Sequence, residues 1–262
     1  MLEISTAQWY AWIAAFLFPF LRVLGVLIAD PLFGNNATPI SAKVGLAIFI
    51  TLLLAPVLPP MPNVEPASAE GVLIGVQQLL IGLAMGFAVR IALTAAETAG
   101  QLAGLQMGLG FAVFFDPQTS AQTAVVGQVV GLFAILVFLS INGHFVVLTA
   151  LSESFRMLPV EVGPVRALGW RTLVDWGSVI FSAGVLISLP IVGAVLVANV
   201  AVGVMSRAAP QLNVFAIGFP ITLVTGFVAL YLAAPYIGPA LAGLFEQAMF
   251  AIDRLLRALA MG

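Results

Sequence analysis

Six long stretches of apolar residues, separated by charged residues, prolines or asparagines, constrain this chain more than any other feature. An α-helix rises about 1.5 Å per residue, so about 20 residues cross the roughly 30 Å hydrocarbon core of a membrane. The second stretch is shorter than this and the last two are longer. The pattern predicts an all-α membrane protein of about six long hydrophobic helices arranged in hairpins. The stretches are Trp9–Ala29, Val44–Leu58, Val72–Ala92, Ala124–Leu151, Gly177–Met205 and Val214–Phe245.

The composition excludes an ordinary soluble domain. Of the 262 residues, 62% are hydrophobic and 8% are charged, whereas a soluble domain has about 45–50% apolar and about 25% charged residues. Nine Lys and Arg are scattered among eleven Asp and Glu, which excludes a basic patch for nucleic acid. There is no cysteine and one histidine, His144. We therefore expect no metal site and no cofactor, and a hydrogen-bonded structural role for His144.

Positive charges do not orient the predicted helices. Loops of a membrane protein that face the cytoplasm carry an excess of Lys and Arg, but here six spans would leave five such residues on one side and four on the other. The charges therefore leave the topology of the termini open. Arg22 and Arg90 lie inside apolar stretches, so each must reach the membrane interface, a protein partner or water.

Polar side chains recur at helical spacing from Arg90 onward. Intervals of three and four residues place them on one face of a continuous helix, and that face ends in glycines. Such a stripe indicates a helix that lines an aqueous or protein-filled interior. The residues at this spacing are Arg90, Thr94, Glu97 and Gln101, and Gly104 and Gly108 continue their face. We assign these four polar residues, together with Gln106 five residues after Gln101, to a pore-facing or partner-facing stripe.

Other glycines repeat at intervals of four residues. These are Gly82 with Gly86, and Gly127 with Gly131. Small residues at this interval let two helix backbones approach closely in a membrane protein. We therefore predict that both pairs lie at contacts between helices.

A loop rich in phenylalanine follows the stripe. Gly108 and Gly110 weaken the helix, and Pro117 ends it within the turn-forming pair Asp116-Pro117. Irregular backbone at membrane depth is tolerated only where protein or a water-filled cavity surrounds it. The residues leave two interpretations open, a moving element in a cavity or a static re-entrant loop.

Two other classes of function were weighed against the residues. A small-solute transporter could place its substrate at a broken helix such as Pro210–Pro220, but the two halves of the chain show no convincing inverted repeat. An enzyme is disfavoured because Asp116 has no acid or base partner in a motif and no phosphate-binding Gly-Lys loop is present. We therefore expect no catalytic residues.

Five motifs in order resemble the FliR/SctT family of type III secretion export-gate proteins. The stretch Pro210-Gln-Leu-Asn-Val-Phe-Ala-Ile-Gly-Phe-Pro220 is similar to the signature of the flagellar branch, FliR. The other four are Phe18-Pro-Phe-Leu-Arg22 with Pro31-Leu-Phe-Gly34, Glu97-x-x-Gly-Gln101, Gln106-Met-Gly-Leu-Gly-Phe111 with Phe115-Asp-Pro117, and Asn142-Gly-His144 with Glu153-Ser-Phe155. The resemblance covers nearly the whole chain.

The resemblance implies a subunit of the flagellar export gate in the bacterial inner membrane, within the flagellar basal body. FliR-like proteins form a pore with several copies of FliP and FliQ, and FlhB and FlhA are further expected partners, together with membrane lipid. Unfolded flagellar subunits pass through this pore, and the assembled gate projects to the periplasmic side. The homologous injectisome subunit of virulence systems is the alternative within the same family.

The resemblance also assigns residues. About 1–170 would be a FliP-like part and about 171–262 a FliQ-like helix hairpin, together a single FliR-type domain. A loop of the chain plugs the pore in this family, and here it would consist of Met107, Gly108, Gly110, Phe111, Val113, Phe114, Phe115, Asp116 and Pro117. The signature turn between the last two helices would contain Pro210, Gln211, Asn213, Phe215, Gly218 and Pro220.

Overall fold

All regular structure in the described part of the chain is helical. The computed structural model describes residues 6–35, 37–111, 125–161, 163, 166–209 and 214–260. Short 3-10 turns lie at Ala55–Val57 and Leu109–Phe111. The α-helices are α1 (Thr6–Ala29), α2 (Ile40–Leu54), α3 (Ala69–Gln106), α4 (Val125–Ser140), α5 (Gly143–Met157), α6 (Ala167–Gly177), α7 (Val179–Ala208) and α8 (Val214–Ala260).

Five helical stretches among the described residues are long and apolar enough to cross a membrane, and a sixth is obtained if α4 and α5 form one broken span. This confirms the prediction of an all-α membrane protein. The five stretches are Gln8–Ala29, Ile40–Val57, Ala69–Gln106, Ala167–Ala208 and Ile217–Ala260.

The spacing from Arg90 onward predicted a helix that continues past the third apolar stretch, and α3 does run to Gln106, because its alanine, leucine and glutamine residues are good helix formers and no proline interrupts them. One predicted segment was wrong. The fourth apolar stretch was expected to be one segment, but it breaks between α4 and α5. There Asn142 adopts φ 57°, in the left-handed region that asparagine tolerates better than most residues.

The chain forms two compact units, each assembled from separated segments. The first consists of residues 1–91, 142–177 and 246–262, and the second of residues 92–141 and 178–245. The first unit therefore holds α1, α2, α5, α6, the start of α3 and the end of α8. The second holds α4, α7, the end of α3 and most of α8.

Backbone contact between α1 and α3 organises the first unit. A Cβ atom on Gly82 would lie 2.1 Å from the carbonyl oxygen of Arg22, and one on Gly86 would lie 2.5 Å from that of Val26. The predicted role of this glycine pair in helix packing is therefore confirmed. The indole N–H of Trp176 on α6 donates to the carbonyl of Ala88, at 2.9 Å.

In the second unit, glycines likewise allow α3 and α4 to pack closely. A Cβ atom on Gly100 would lie 2.7 Å from the Cα of Gly127, so only glycines allow the two helices to approach this closely. The rings of Phe138 and Phe245 pack with their centroids 4.9 Å apart. Both aromatic side chains are buried and close the contact between α4 and α8.

Candidate functional site

The structure places the predicted polar stripe along α3. Arg90 lies in the part of the helix that belongs to the first unit, and the other members lie in the second. Gln101 and Gln106 are exposed, whereas Thr94 and Glu97 are half-buried. The carbonyl of Thr94 accepts the hydroxyl of Thr98 at 2.7 Å. The stripe is therefore not uniformly open to its surroundings.

Part of the stripe covers the glycines of α4. The Cγ atom of Glu97 lies 2.9 Å from the position of a Cβ on Gly131, and the Cγ atom of Gln101 lies 2.8 Å from that of Gly127. The two glycines therefore make room for these polar side chains, which confirms that the pair lies at a helix contact. The interior-lining role of the stripe stays a prediction for its exposed members.

Helix α3 ends just before the predicted plug. Met107 is fully buried, and its carbonyl oxygen accepts the hydroxyl of Thr222 on α8 at 3.3 Å. Gly108 was expected to continue the helical face, which was wrong: it lies beyond the last helical residue with φ 86°. This left-handed conformation is accessible to glycine at little cost, so the chain turns away from α3 at this point.

Much of the predicted plug lies outside the described residues. Met107, Gly108 and Gly110 are described with their surroundings, and Phe111 closes the 3-10 turn. The plug residues that fall outside the described ranges are Val113, Phe114, Phe115, Asp116 and Pro117. The plug assignment therefore stays a prediction.

The signature turn lies at the connection between α7 and α8. Of its residues, Pro210, Gln211 and Asn213 fall outside the described ranges, and Phe215 belongs to the first turn of α8. A Cβ on Gly218 would contact the side chain of Val202 on α7 at 3.4 Å. Pro220 lies inside α8.

Sequence reasoning missed a buried polar cluster around Arg22. The guanidinium donates to Oε1 of Gln78 from Nε at 2.8 Å and also from Nη2. It donates to Oγ of Ser154 at 3.1 Å and to the carbonyl of Leu158 at 2.9 Å, and its Cζ lies 4.2 Å from the ring centre of Phe155. Arg22 is 0% exposed, so its guanidinium is enclosed by other residues of this chain. The sequence signals were Arg22 itself inside an apolar stretch, and Gln78 and Ser154 in apolar surroundings.

A polar cavity of about 190 Å³ lies beside this cluster. Gln78, Leu158 and Glu161 contribute to its wall, and Gln77 donates from Nε2 to the carbonyl of Gly163 at 2.8 Å. No group of three His, Asp or Glu side chains among the described residues could hold a metal ion.

The single histidine differs from expectation. Nδ1 of His144 is buried without a hydrogen-bond partner among the described residues, although a hydrogen-bonded structural role was predicted. Its ring instead packs on Phe145, with the ring centres 4.2 Å apart.

These features define a helical integral membrane protein whose polar groups are concentrated along one long helix and in one buried cluster. The chain belongs to the family described as "Bacterial export proteins, family 1", which matches residues 13–248.

Its relatives include the flagellar biosynthetic proteins FliR of Escherichia coli (strain K12) and Pectobacterium carotovorum. They are 37% identical over 247 residues and 38% identical over 248 residues, and each alignment covers 94% of both chains. FliR of Bacillus subtilis (strain 168) is 28% identical over 220 residues, which is 82% of this chain and 84% of the relative. The chain is therefore a membrane-embedded component of flagellar protein export.

Proposed function

We propose that this chain is the FliR-type subunit of the flagellar type III export gate. With several copies of FliP and FliQ it forms the pore through which unfolded flagellar subunits cross the inner membrane. The observation that carries the proposal is the similarity to flagellar FliR proteins over 94% of the chain. The protein acts as a conduit and carries out no chemical step.

The described surface supports assembly with other helices. Of the residues in the most apolar stretch of α2, only 11% are buried, and the corresponding share in α8 is 22%. Tyr231 and Tyr236 on α8 are 79% and 77% exposed. An apolar groove of about 540 Å³ runs between α7 and α8, and continuous apolar surface of this kind is typical of protein or lipid contact. We assign it to partner helices and membrane lipid.

The proposed function includes one moving element, the plug loop. Residues 106–122 close the pore from within, with Phe111, Phe114 and Phe115 filling the lumen and excluding water and ions. An arriving chain must displace this closure, which a loop allows more readily than a rigid helix. The exposed Gln101 and Gln106 just before the loop are suited to a wetted interior.

We assign the division of the chain and its orientation on the same basis. About 1–170 is the FliP-like part and about 171–262 the FliQ-like hairpin. The gate projects to the periplasmic side, and FlhB and FlhA contact it in the flagellar basal body.

The injectisome export-gate subunit is the second candidate function. The flagellar names of the relatives favour the flagellar subunit.

Two experiments test the proposal. The tagged chain is expressed with its neighbouring membrane genes and the intact complex is weighed in mild detergent. One copy of this chain with several copies of two smaller helical proteins is expected, whereas a stable monomer that transports a solute by itself would overturn the assignment.

The second experiment measures ion conductance through the closed gate after deletion of Gly110–Ser120. A control variant replaces these residues by glycine and serine at equal length, which keeps the loop but removes the phenylalanines. Both variants are expected to leak. Unchanged conductance in both would show that the loop is not the plug.

A further inference from the structure

A buried amide of the first unit directs its donor groups into a cavity. Gln78 on α3 is 2% exposed, and its Oε1 accepts hydrogen bonds from Nε and Nη2 of Arg22. The Nε2 atom of the same amide therefore faces away from the guanidinium. Gln78 forms no other hydrogen bond within the described residues, and it lines the polar cavity of about 190 Å³. Two N–H groups of a nearly buried side chain are thus directed at this space.

Arg22 strengthens this donor. All of its hydrogen-bond partners in the described part of the chain are neutral oxygens, those of Gln78, Ser154 and Leu158, so no carboxylate partner neutralises its charge there. A cation bound to an amide oxygen polarises the amide and makes its N–H groups better donors. A donor left without an acceptor in so enclosed a place costs free energy, which indicates an acceptor that enters the cavity.

Other residues of the cavity wall supply acceptors. Glu161, an exposed residue after α5, is one of them. Leu259 and Ala260 also line the cavity, and they belong to the last turn of α8, whose carbonyl oxygens have no partner inside the helix and carry partial negative charge. The cavity therefore combines a donor held by a cation with acceptors around an anionic side chain, an arrangement that fits a ligand with both signs of charge.

The location and the size of the cavity narrow the choice of ligand. It lies where α5 ends at Met157 and α8 ends at Ala260, and the ends of membrane helices lie near the lipid headgroups. Its volume is below the roughly 300–1,000 Å³ of pockets for drug-sized molecules, so it has room only for a small polar group. A phospholipid headgroup with a phosphodiester and a primary ammonium matches this size, charge and location.

We propose that this cavity binds the headgroup of an aminophospholipid, phosphatidylethanolamine. Gln78 donates from Nε2 to a phosphodiester oxygen, while Glu161 and the carbonyls of the last turn of α8 accept N–H groups of the ammonium. Arg22 is a positioning residue, because it fixes the direction of the Gln78 amide without touching the lipid. The site does not depend on the plug assignment.

Lipid binding to the detergent-solubilised protein tests the site. The chain, with any subunits that co-purify with it, is stripped of lipid and titrated with dioleoyl phosphatidylethanolamine, phosphatidylcholine or phosphatidylglycerol, and native mass spectrometry measures the bound fraction. All three lipids carry the phosphodiester, but the ammonium of phosphatidylcholine has no N–H group and phosphatidylglycerol has no ammonium. We expect phosphatidylethanolamine to bind one site about tenfold more tightly than the other two, as the loss of a hydrogen bond to a charged group predicts.

Two variants assign the binding to this cavity. Gln78→Glu keeps an oxygen for Arg22 and adds the opposite charge, but it removes both N–H groups and repels the phosphodiester. Its affinity for phosphatidylethanolamine should fall about tenfold, while its melting temperature stays at or above that of the parent. Glu161→Gln should lower this affinity to that of phosphatidylcholine. Glu153→Gln is the matched control and should bind like the parent, because Glu153 is exposed and is not among the residues that line the cavity.

Equal affinity of Gln78→Glu and Glu153→Gln for phosphatidylethanolamine would overturn the proposal. Equal binding of the three lipids by the parent would also overturn it and would mean an adventitious additive only. Preference for phosphatidylglycerol would mean an anionic ligand, and no binding of any lipid would mean that a side chain of a partner fills the cavity.

Glycerophosphoethanolamine, the soluble headgroup without acyl chains, distinguishes a membrane lipid from a free solute. It should compete only weakly, and competition at the affinity of the lipid itself would overturn the assignment to a lipid. None of these measurements requires a pore, so they remain decisive for the cavity even if the export-gate assignment fails.

Discussion

The guanidinium Nε of Arg22 on α1 donates a 2.8 Å hydrogen bond to the side-chain oxygen of Gln78 on α3, within the apolar interior of the first unit. The same cation also donates to Ser154 and to the carbonyl of Leu158. Three neutral oxygens from two separate segments, α3 and the end of α5, therefore replace the water that a guanidinium would otherwise need. The cluster ties α1, α3 and the end of α5 together.

Replacing Arg22 by methionine should destabilise the protein strongly. The substitution keeps an apolar stem but leaves the buried oxygens of Gln78 and Leu158 without their donor, at about 1–3 kcal/mol for each. We expect a lower melting temperature of the detergent-solubilised gate and less chain in the membrane. Arg22→Lys should recover only part of the loss, because one ammonium cannot form the forked contacts.

Arg254→Ala is the matched control for Arg22. Arg254 is exposed on α8, so its loss should change the melting temperature little. A melting temperature of Arg22→Met equal to that of the control would contradict a stabilising role for the cluster.

Gly82→Ala should separate α1 from α3. The new methyl group would meet the carbonyl oxygen of Arg22 at 2.1 Å, and overpacking of this kind costs about 1–3 kcal/mol. Gly45→Ala on α2 meets nothing within 4 Å and should be neutral or slightly stabilising, because alanine favours helix over glycine. The rate of limited proteolysis in membranes measures the effect of each variant and should rise for Gly82→Ala only. Equal rates for the two variants would mean that α1 can shift without cost.

Trp176 allows packing and hydrogen bonding to be separated. Trp176→Phe keeps an aromatic ring but removes the donor to the carbonyl of Ala88, which should cost about 0.5–1.5 kcal/mol. Trp176→Ala also leaves a cavity and should cost about 3–5 kcal/mol. Trp12→Phe is the control, since Trp12 is 59% exposed. The onset temperature of thermal aggregation ranks the three variants: it should be lowest for Trp176→Ala, higher for Trp176→Phe and highest for Trp12→Phe. Any other order would contradict this division between packing and hydrogen bonding.

Asp30, directly after α1, should make stability depend on pH. Burial raises the pKa of its carboxyl above the ordinary 3.8, while the N–H groups of Phe33 and Leu32 and the charge of Arg90 oppose the shift. A raised folded-state pKa means that the folded protein binds this proton more tightly than the unfolded chain. The stability contributed by the neutral form is therefore lost as pH rises from 3.8 through the folded value.

Asp30→Asn tests this dependence. The amide oxygen can still accept from Leu32 and Phe33 but carries no charge, so the variant should melt higher at neutral pH by a margin that shrinks on acidification. Glu153→Gln, at an exposed position, should show no such trend. A variant less stable than the parent at neutral pH would mean that attraction to Arg90 outweighs burial.

Local patterns predicted the parts of the fold that depend on neighbouring residues. The interval between Gly82 and Gly86 predicted a helix contact, and the spacing from Arg90 to Gln101 predicted one continuous helix. The break at Asn142 was missed because its left-handed backbone leaves no periodic signal.

The candidate site, like the fold, was predicted from the sequence only in part. The sequence indicated that residues 107–117 form an unusual segment, through its glycines, phenylalanines and proline. It did not indicate that Met107 would be held by Thr222, since this residue is more than 100 positions away along the chain. No periodicity connects positions so distant.

By itself, the sequence determined that this chain is helical and belongs in a membrane, because 8% charged residues cannot solvate a surface in water. It also determined where helices could form, since apolar length and proline position act locally. Only the tertiary structure decided that Arg22 is enclosed rather than exposed, and that Met107 is anchored. Both outcomes depend on which distant segments supply oxygens or empty space, and that is settled when the helices pack.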